Sequence, residues 1–168
     1  MKILFYPSGF LPLHAHSQQE RALNEEESAL IYFSAALAQL GHEVVVLTEE
    51  SDPPPSNPLY LPTSAFPSLG AFDVVVAVKG WLKLFLPIQA SKRLFWTHDS
   101  ARDLGTYGIG DRRFIEIVDY VISPNTHNAK EFIETAHVPS SKIKILPEEG
   151  NWEATAREFI KWFKGVSE

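Results

Sequence analysis

Short, nearly continuous apolar runs recur along the chain and predict buried strands. The run Val44–Leu47 is apolar at four consecutive positions. Such a run is typical of a strand that lies between helices in a parallel sheet and is buried on both faces. The predicted strands are Lys2–Tyr6, HEVVVLTE at 42–49, Asp73–Val78, Arg93–Thr97, Tyr120–Ser123 and Ile143–Leu146.

Apolar residues at spacings of three and four predict a long helix that begins after Asn24. Asn24 can cap this helix, and Glu27 follows three residues later, which resembles a capping box. Glu25, Glu26 and Glu27 also place negative charge at the positive end of the helix dipole. Gly41 stands where the end of a helix favours a left-handed residue. The apolar stripe consists of Leu30, Phe33, Leu37 and Leu40.

Three further helices are predicted, at Asp111–Val118, from near Asn125, and after Asn151. Their predicted buried positions are Phe114, Ile117 and Val118 in the first, Ala129, Phe132, Ile133 and Ala136 in the second, and Trp152, Ala156, Phe159 and Phe163 in the third. The connector Glu49–Phe72 holds half of the chain's 12 prolines, so regular structure is expected there only at Leu59–Leu61. The segment Gly80–Ser91 is ambiguous, and Pro87 interrupts any helix in it.

Strands and helices therefore alternate, and 168 residues suit one compact domain. The alternation predicts an α/β fold, namely a single Rossmann-like three-layer αβα domain with a mostly parallel sheet.

Charge and composition narrow the range of partners. Lysine and arginine number 15 against 21 acids, a formal charge of −6, which disfavours nucleic acid as a partner. The absence of cysteine excludes disulfides and thiolate metal sites. His14 and His16 resemble a metal pair, but no third ligand has convincing spacing, so no metal is predicted. No apolar run approaches the roughly 18 residues of a transmembrane segment, and we expect a cytoplasmic protein.

Polar residues follow the predicted strands, and ligands of such folds bind outside the carboxyl ends of the strands. The candidate catalytic residues are His98 and Asp99, and the candidate substrate-binding residues are Ser8, Gly9, Lys79, Trp81, Asn125 and Thr126. Strands of any protein end on polar residues, so the alternative that His98 caps a helix or bonds the backbone stays open. A dinucleotide motif, a P-loop, a phospho-receiver acidic pair and a G-x-S-x-G elbow are all missing from the sequence.

Several segments resemble the amino-terminal half of retaining glycosyltransferases with the GT-B fold, specifically glycosyltransferase family 4. They are MKILFYPSG, ALIYFSAALAQLGHEVVVLTE, FDVVVAV, KRLFWTHD and VDYVISPNTHNAKEFIETAHVPSSKIKILP, which together span about residues 1–147. The resemblance implies that this half binds the acceptor and that His98 lies beside the reacting sugar. It also implies that Lys79 and Thr126 lie on loops of the same cleft edge.

The sequence departs from the family pattern at two places. Two glycines usually precede the first helix in the family, whereas this chain reads NEEESA, and three glutamates would repel a donor diphosphate. After ILP the family enters its donor-binding domain, whereas this chain continues through 148–150 into a segment that resembles the family's terminal helix. We therefore interpret 1–147 as the core, 148–150 as a junction and 151–165 as a crossover-type helix. Whether the donor domain was lost naturally or excised stays open.

Three functions remain open. The chain could be a glycosyltransferase that uses a nucleotide sugar as substrate, needs no other cofactor, and pairs with a separate donor-binding domain or with itself. It could instead be a sugar- or acceptor-binding module or an engineered half-fold, with Phe10, Trp81 and Tyr107 stacking on sugar faces. The third possibility is a structural domain with a dead cleft.

Overall fold

The computed structural model describes residues 1–102, 109–148 and 150–163. Within them, seven strands form one sheet: β1 (Lys2–Pro7), β2 (Glu43–Thr48), β3 (Leu59–Pro62), β4 (Phe72–Val78), β5 (Ala90–Trp96), β6 (Tyr120–Ser123) and β7 (Ile143–Ile145). Their order is β3-β2-β1-β4-β5-β6-β7, and every neighbouring pair is parallel. The predicted single α/β domain is therefore confirmed.

The described residues include four α-helices: α1 (Glu25–Gln39), α2 (Arg112–Ile117), α3 (Thr126–Glu134) and α4 (Trp152–Lys161). The cap predicted at Asn24 is present. Asn24 accepts from the Glu27 N–H at 2.8 Å while Glu27 accepts from the Asn24 N–H at 3.1 Å, which is a full capping box. The side chains of Asn125 and Asn151 cap α3 and α4 by accepting from the N–H groups of Asn128 and Ala154. Among the helices of the described residues, none is long and apolar enough to cross a bilayer.

Alternate residues of each strand point to opposite faces of the sheet, and each face carries its own helices. In β1, Ile3 and Phe5 join the apolar cluster beneath α1 and α4. Leu4 and Tyr6 join the cluster on the other face, which contains Phe114 of α2 and Phe132 of α3. The result is the three-layer arrangement expected from strands that are apolar at consecutive positions.

The helix α4 closes one face by packing aromatic side chains on α1. Phe159 is fully buried, and its ring lies edge-on to Phe33 with the centroids 5.2 Å apart. Trp152 lies 6.2 Å from the same ring, and Phe163 is buried. The predicted apolar side of this helix is thus confirmed, and each buried side chain contributes about 1.5–3 kcal/mol.

Three details differ from the sequence-based predictions. Ile133, predicted to be buried, is 37% exposed, because α3 lies beside the edge strand β7 and no further strand lies beneath its outer side. The strand predicted at Arg93–Thr97 begins at Ala90 and ends at Trp96. In the Pro-rich connector, the regular structure expected at Leu59–Leu61 is present as β3, but a short 3₁₀ helix at Thr63–Ser68 was not expected. The ambiguous segment contains a 3₁₀ helix at Trp81–Phe85.

The strand order reverses direction between β1 and β4, since β2 and β3 lie on one side of β1 and β4 to β7 on the other. Ligands of open α/β sheets bind outside the strand ends at such a point. Here the two loops touch, because a Cβ placed on Gly80 would lie 2.4 Å from Ser8 Oγ. Glycine at position 80 therefore permits the loops after β1 and β4 to approach closely.

Candidate functional site

Backbone hydrogen bonds join the carboxyl ends of neighbouring strands into one rim. The pairs are Ser8 N–H to the Val78 carbonyl (2.9 Å), Lys79 N–H to Trp96 (3.0 Å), Thr97 N–H to Ile122 (3.3 Å) and Leu146 N–H to Ser123 (2.9 Å). In each pair, the residue that directly follows one strand donates to the last residues of the neighbouring strand. The residues that follow β1, β4, β5, β6 and β7 therefore share one edge of the sheet.

His98 and Glu148 are hydrogen-bonded to each other at this rim. His98 Nε2 lies 2.6 Å from Glu148 Oε2, and the two side chains are only 12% and 10% exposed. The other oxygen of Glu148 accepts from the indole Nε1 of Trp96 at 3.2 Å. The His98 carbonyl accepts from Asn128 Nδ2 at 3.2 Å, which ties this loop to α3. The backbone of His98 is thus tied to α3, and its imidazole is tied to the segment after β7.

The surroundings of His98 favour its protonated form. Burial by itself would lower the pKa of His98, but the hydrogen bond and charge of Glu148 raise it. The charges of Glu26 and Glu25 act in the same direction, and the net result is a pKa raised above the usual 6.5. A protonated imidazole is a strong hydrogen-bond donor to an anionic oxygen.

We expect the free energy of unfolding to fall as the pH rises through the folded-state pKa of His98. Since that pKa lies above the usual 6.5, the contribution of His98 is fully present below pH 6.5 and is lost as the pH passes the raised value. Urea unfolding at a series of pH values measures this slope. The Glu148→Gln variant lacks the carboxylate, so its free energy of unfolding should depend less steeply on pH. A slope equal to that of the wild type would show that another group causes the pH dependence.

Acidic residues at the start of α1 are paired with cations of the same rim. Glu26 Oε2 lies 3.6 Å from Lys79 Nζ. Glu27 is buried and accepts two hydrogen bonds from Arg21, at 2.7 and 3.2 Å. Two of the three glutamates that replace the expected glycines therefore form ion pairs within the domain.

Lys79 and Gly9 have backbone conformations unusual for most residues. Lys79 has a φ of +72° and Gly9 a φ of +71°. A lysine in the left-handed region is uncommon and costs about 1–3 kcal/mol, and such residues cluster at functional sites. The N–H of Lys79 and its ion pair with Glu26 fix this residue above the end of β4.

The remaining predicted site residues occupy several different environments. Trp81 packs edge-on against Phe114, with ring centroids 5.1 Å apart. The Asp99 N–H donates to Thr97 Oγ1 at 3.0 Å. Asn125 caps α3, and the exposed Thr126 lines a groove of about 560 Å³ between α3 and β7. Phe10 is partly buried against the core, while Tyr107 lies outside the described residues.

Ser8, Lys79 and His98 meet at the rim, whereas Asn125 and Thr126 lie at the start of α3. The sequence interpretation missed Glu148 and Glu26, which pair with His98 and Lys79 at the rim. A signal for Glu148 existed, because it follows the last predicted strand and the strand-end rule applies to it as well. In the described residues no group of three or more histidines or acids could hold a metal ion.

No family model matches the chain, and no curated protein matches it. The chain has a glycosyltransferase-like fold, because it superposes on a solved glycosyltransferase domain over its full length. That solved chain is a sucrose-phosphate synthase from Thermosynechococcus elongatus, with a TM-score of 0.60 and 16% sequence identity. The similarity covers 99% of this chain and 100% of that one. At this identity it establishes the fold.

Proposed function

We propose that the chain is the acceptor-binding half of a retaining GT-B glycosyltransferase of family 4, without a donor-binding domain of its own. The observation that carries the proposal is the full-length similarity to the sucrose-phosphate synthase chain, a GT-B glycosyltransferase. The family segments found in the sequence support the same class. They correspond to β1, to α1 with β2, to β4, to β5 and to the region from β6 to β7.

The missing donor domain is supported by how α4 follows the core. We infer from its name, which ends in 27_220_406_426, that the solved sucrose-phosphate synthase chain joins two separate segments of one protein. In this chain, α4 likewise follows β7 after a few residues and packs on Phe33 of α1. Such packing would cover apolar surface that an incomplete domain leaves exposed.

His98 is the proposed contact to the reacting sugar. Its imidazole lies at the rim, and its raised pKa favours a protonated donor, which can stabilise negative charge on the oxygen that leaves the reacting sugar. Ser8, Gly9 and Lys79 would border the same cleft at the point where the strand order reverses. Asp99, Trp81, Asn125 and Thr126 remain predicted site residues for the acceptor.

A separate donor-binding domain, or a second copy of this chain, would supply the other wall of the cleft. Glycosyl transfer requires donor and acceptor to be held together away from water. The start of α1 carries Glu25, Glu26 and Glu27, and although Glu26 and Glu27 pair with Lys79 and Arg21, these side chains fill the helix end at which a diphosphate would otherwise bind. Nucleotide-sugar binding is therefore assigned to the partner.

Calorimetric titration of the full chain tests this proposal. We expect mono- and disaccharide acceptors to bind and nucleotide sugars not to bind until a donor-binding partner is added. The His98→Ala variant should weaken acceptor binding by about tenfold, the equivalent of one lost hydrogen bond to a charged group. The matched control is His127→Ala, since His127 lies on α3 with its side chain 80% exposed.

Each outcome separates the open functions. Acceptor binding without transfer in the presence of any donor-binding partner would favour a non-catalytic binding module. Equal losses in His98→Ala and His127→Ala would remove His98 from the site. If neither saccharides nor nucleotide sugars produce a heat of binding, the glycosyltransferase proposal is contradicted.

A further inference from the structure

The indole N–H of Trp96 is a buried donor that needs an acceptor. Trp96 is fully buried at the end of β5. Its Nε1 donates to Glu148 Oε1 at 3.2 Å. A buried donor without an acceptor is costly, and native proteins rarely leave one. Any group that replaces Glu148 therefore has to bring an oxygen to this indole.

The two carboxylate oxygens of Glu148 meet two different donors. Oε1 accepts a hydrogen bond from the Trp96 indole N–H, while Oε2 lies 2.6 Å from His98 Nε2. The two donor rings are neighbours, with their centroids 5.6 Å apart. A planar carboxylate presents one charged oxygen to each of the two donors, whereas a sugar hydroxyl presents a single, neutral oxygen and makes weaker hydrogen bonds.

The charges around His98 favour a ligand with one negative charge over a ligand with two. Glu25 and Glu26 act electrostatically on His98 and favour its protonated form. Glu26 is compensated in part by Lys79, at 3.6 Å. A protonated imidazole balances one negative charge, while the second charge of a phosphate dianion would be repelled by the nearby acids.

The Glu148 side chain can leave this position while the preceding backbone stays in place. The Leu146 N–H donates to the Ser123 carbonyl at 2.9 Å. The Pro147 carbonyl accepts from Thr155 Oγ1 at 2.7 Å, which ties it to α4. These bonds hold Leu146 and Pro147 in place, so the Glu148 side chain can rotate away from the two donors without a movement of the backbone before it.

We propose that Trp96 and His98 form a binding site for the carboxylate group of a ligand, and that Glu148 is the internal carboxylate which this ligand displaces. Glu148 thus keeps both donors satisfied when no ligand is present and competes with the ligand for them. The choice of a saccharide as the carrier of the carboxylate rests on the proposed function. Under that function the ligand is an acceptor that contains a uronic acid.

Acetate binding to the Glu148→Ala variant tests the site directly. Alanine removes the internal carboxylate, so acetate should occupy the vacated position and raise the melting temperature relative to an equal concentration of chloride. At acetate concentrations of about ten times the Kd, the expected rise is about 3–5 °C. The wild-type chain should show at least a tenfold weaker response, because Glu148 already fills the site.

Two variants control for the donors and for the shape of the side chain. The Glu148→Gln variant keeps the size of the side chain and should not respond to acetate. The double variant His98→Ala with Glu148→Ala should lose the acetate response at least tenfold. If Glu148→Ala does not fold, Glu148→Ser replaces it, since its hydroxyl is too short to reach both donors. An equal acetate response in the single and double variants would overturn the proposal.

Glucuronate, glucose and phosphate separate the possible ligands. Glucuronate that binds the Glu148→Ala variant at least tenfold more tightly than acetate, with no binding of glucose, would support a carboxylated saccharide. Equal affinities for glucuronate and acetate would support a small free carboxylate instead. Phosphate that binds more tightly than either would overturn the assignment to carboxylates. If acetate binds the Glu148→Ala variant but no saccharide acceptor binds the wild-type chain, the carboxylate site is supported. Only the glycosyltransferase proposal is then contradicted.

Discussion

Replacing Phe159 by alanine should lower the free energy of unfolding by about 3–5 kcal/mol, as expected for the loss of a fully buried aromatic ring. Phe159 contacts Phe33 of α1 edge-on, and its ring also lies 5.1 Å from Phe163 and 5.4 Å from Trp162. Removing the ring leaves a cavity in the layer that α4 forms with α1. Equilibrium urea unfolding measures the change, and near-ultraviolet circular dichroism reports the tryptophan environment.

The matched control is Phe85→Ala. Phe85 is 44% exposed and contacts Trp81, with ring centroids 5.9 Å apart. Since much of its surface already faces water, its loss should cost less than about 1.5 kcal/mol. If both variants lose the same free energy, the packing of α4 on α1 does not stabilise the domain as described.

Replacing Arg21 by alanine should lower the free energy of unfolding by about 2–3 kcal/mol. Arg21 donates twice to the carboxylate of Glu27, which is buried at the start of α1. Without this partner, the Glu27 charge stays buried with only its bond to the Asn24 N–H and the more distant charge of Lys79. Urea unfolding of the variant at neutral pH measures the loss.

The same pair gives a definite pH dependence. The hydrogen bond from Arg21 lowers the pKa of Glu27 below the usual 4.5, against the opposing effect of burial. The stabilisation is therefore present above pH 4.5 and is lost as the pH falls through the lowered value. The free-energy difference between wild type and Arg21→Ala should shrink over that acidic range.

An exposed ion pair provides the control for Arg21. Arg112 pairs with Glu116 one turn along α2, and its side chain is 90% exposed. The Arg112→Ala variant should change the stability by less than about 0.5 kcal/mol, because surface pairs of this kind contribute little. A loss comparable to that of Arg21→Ala would mean that the burial of Glu27 is not what makes its pair important.

Local patterns predicted most of the elements. The apolar runs correspond to strands because consecutive apolar positions require burial on both faces, and the cap at Asn24 forms as expected. Both signals act within a few residues along the chain. The prediction that Ile133 is buried was wrong, because its exposure depends on whether another strand lies beneath α3. The spacing of apolar residues in a helix does not show where in the sheet that helix packs.

The candidate site could be predicted only in part. The strand-end rule located the loops of Ser8, Lys79 and His98, since parallel strands all end at one edge of the sheet. It did not identify the partners of these residues. The glutamates at the start of α1 looked like a simple departure from a glycine pattern, yet Glu26 and Glu27 form ion pairs with Lys79 and Arg21.

The sequence by itself determined the alternation of strands and helices, the helix caps and the edge at which polar residues gather. Those features depend on burial periodicity and on hydrogen bonds between near neighbours. Only the tertiary structure decided that Glu148 meets His98, 50 residues away along the chain, and the Trp96 indole, 52 residues away. That contact depends on the order of β5, β6 and β7 and on the packing of α4. These bring residues that are distant in sequence together at a buried position, where each polar group needs a hydrogen-bond partner.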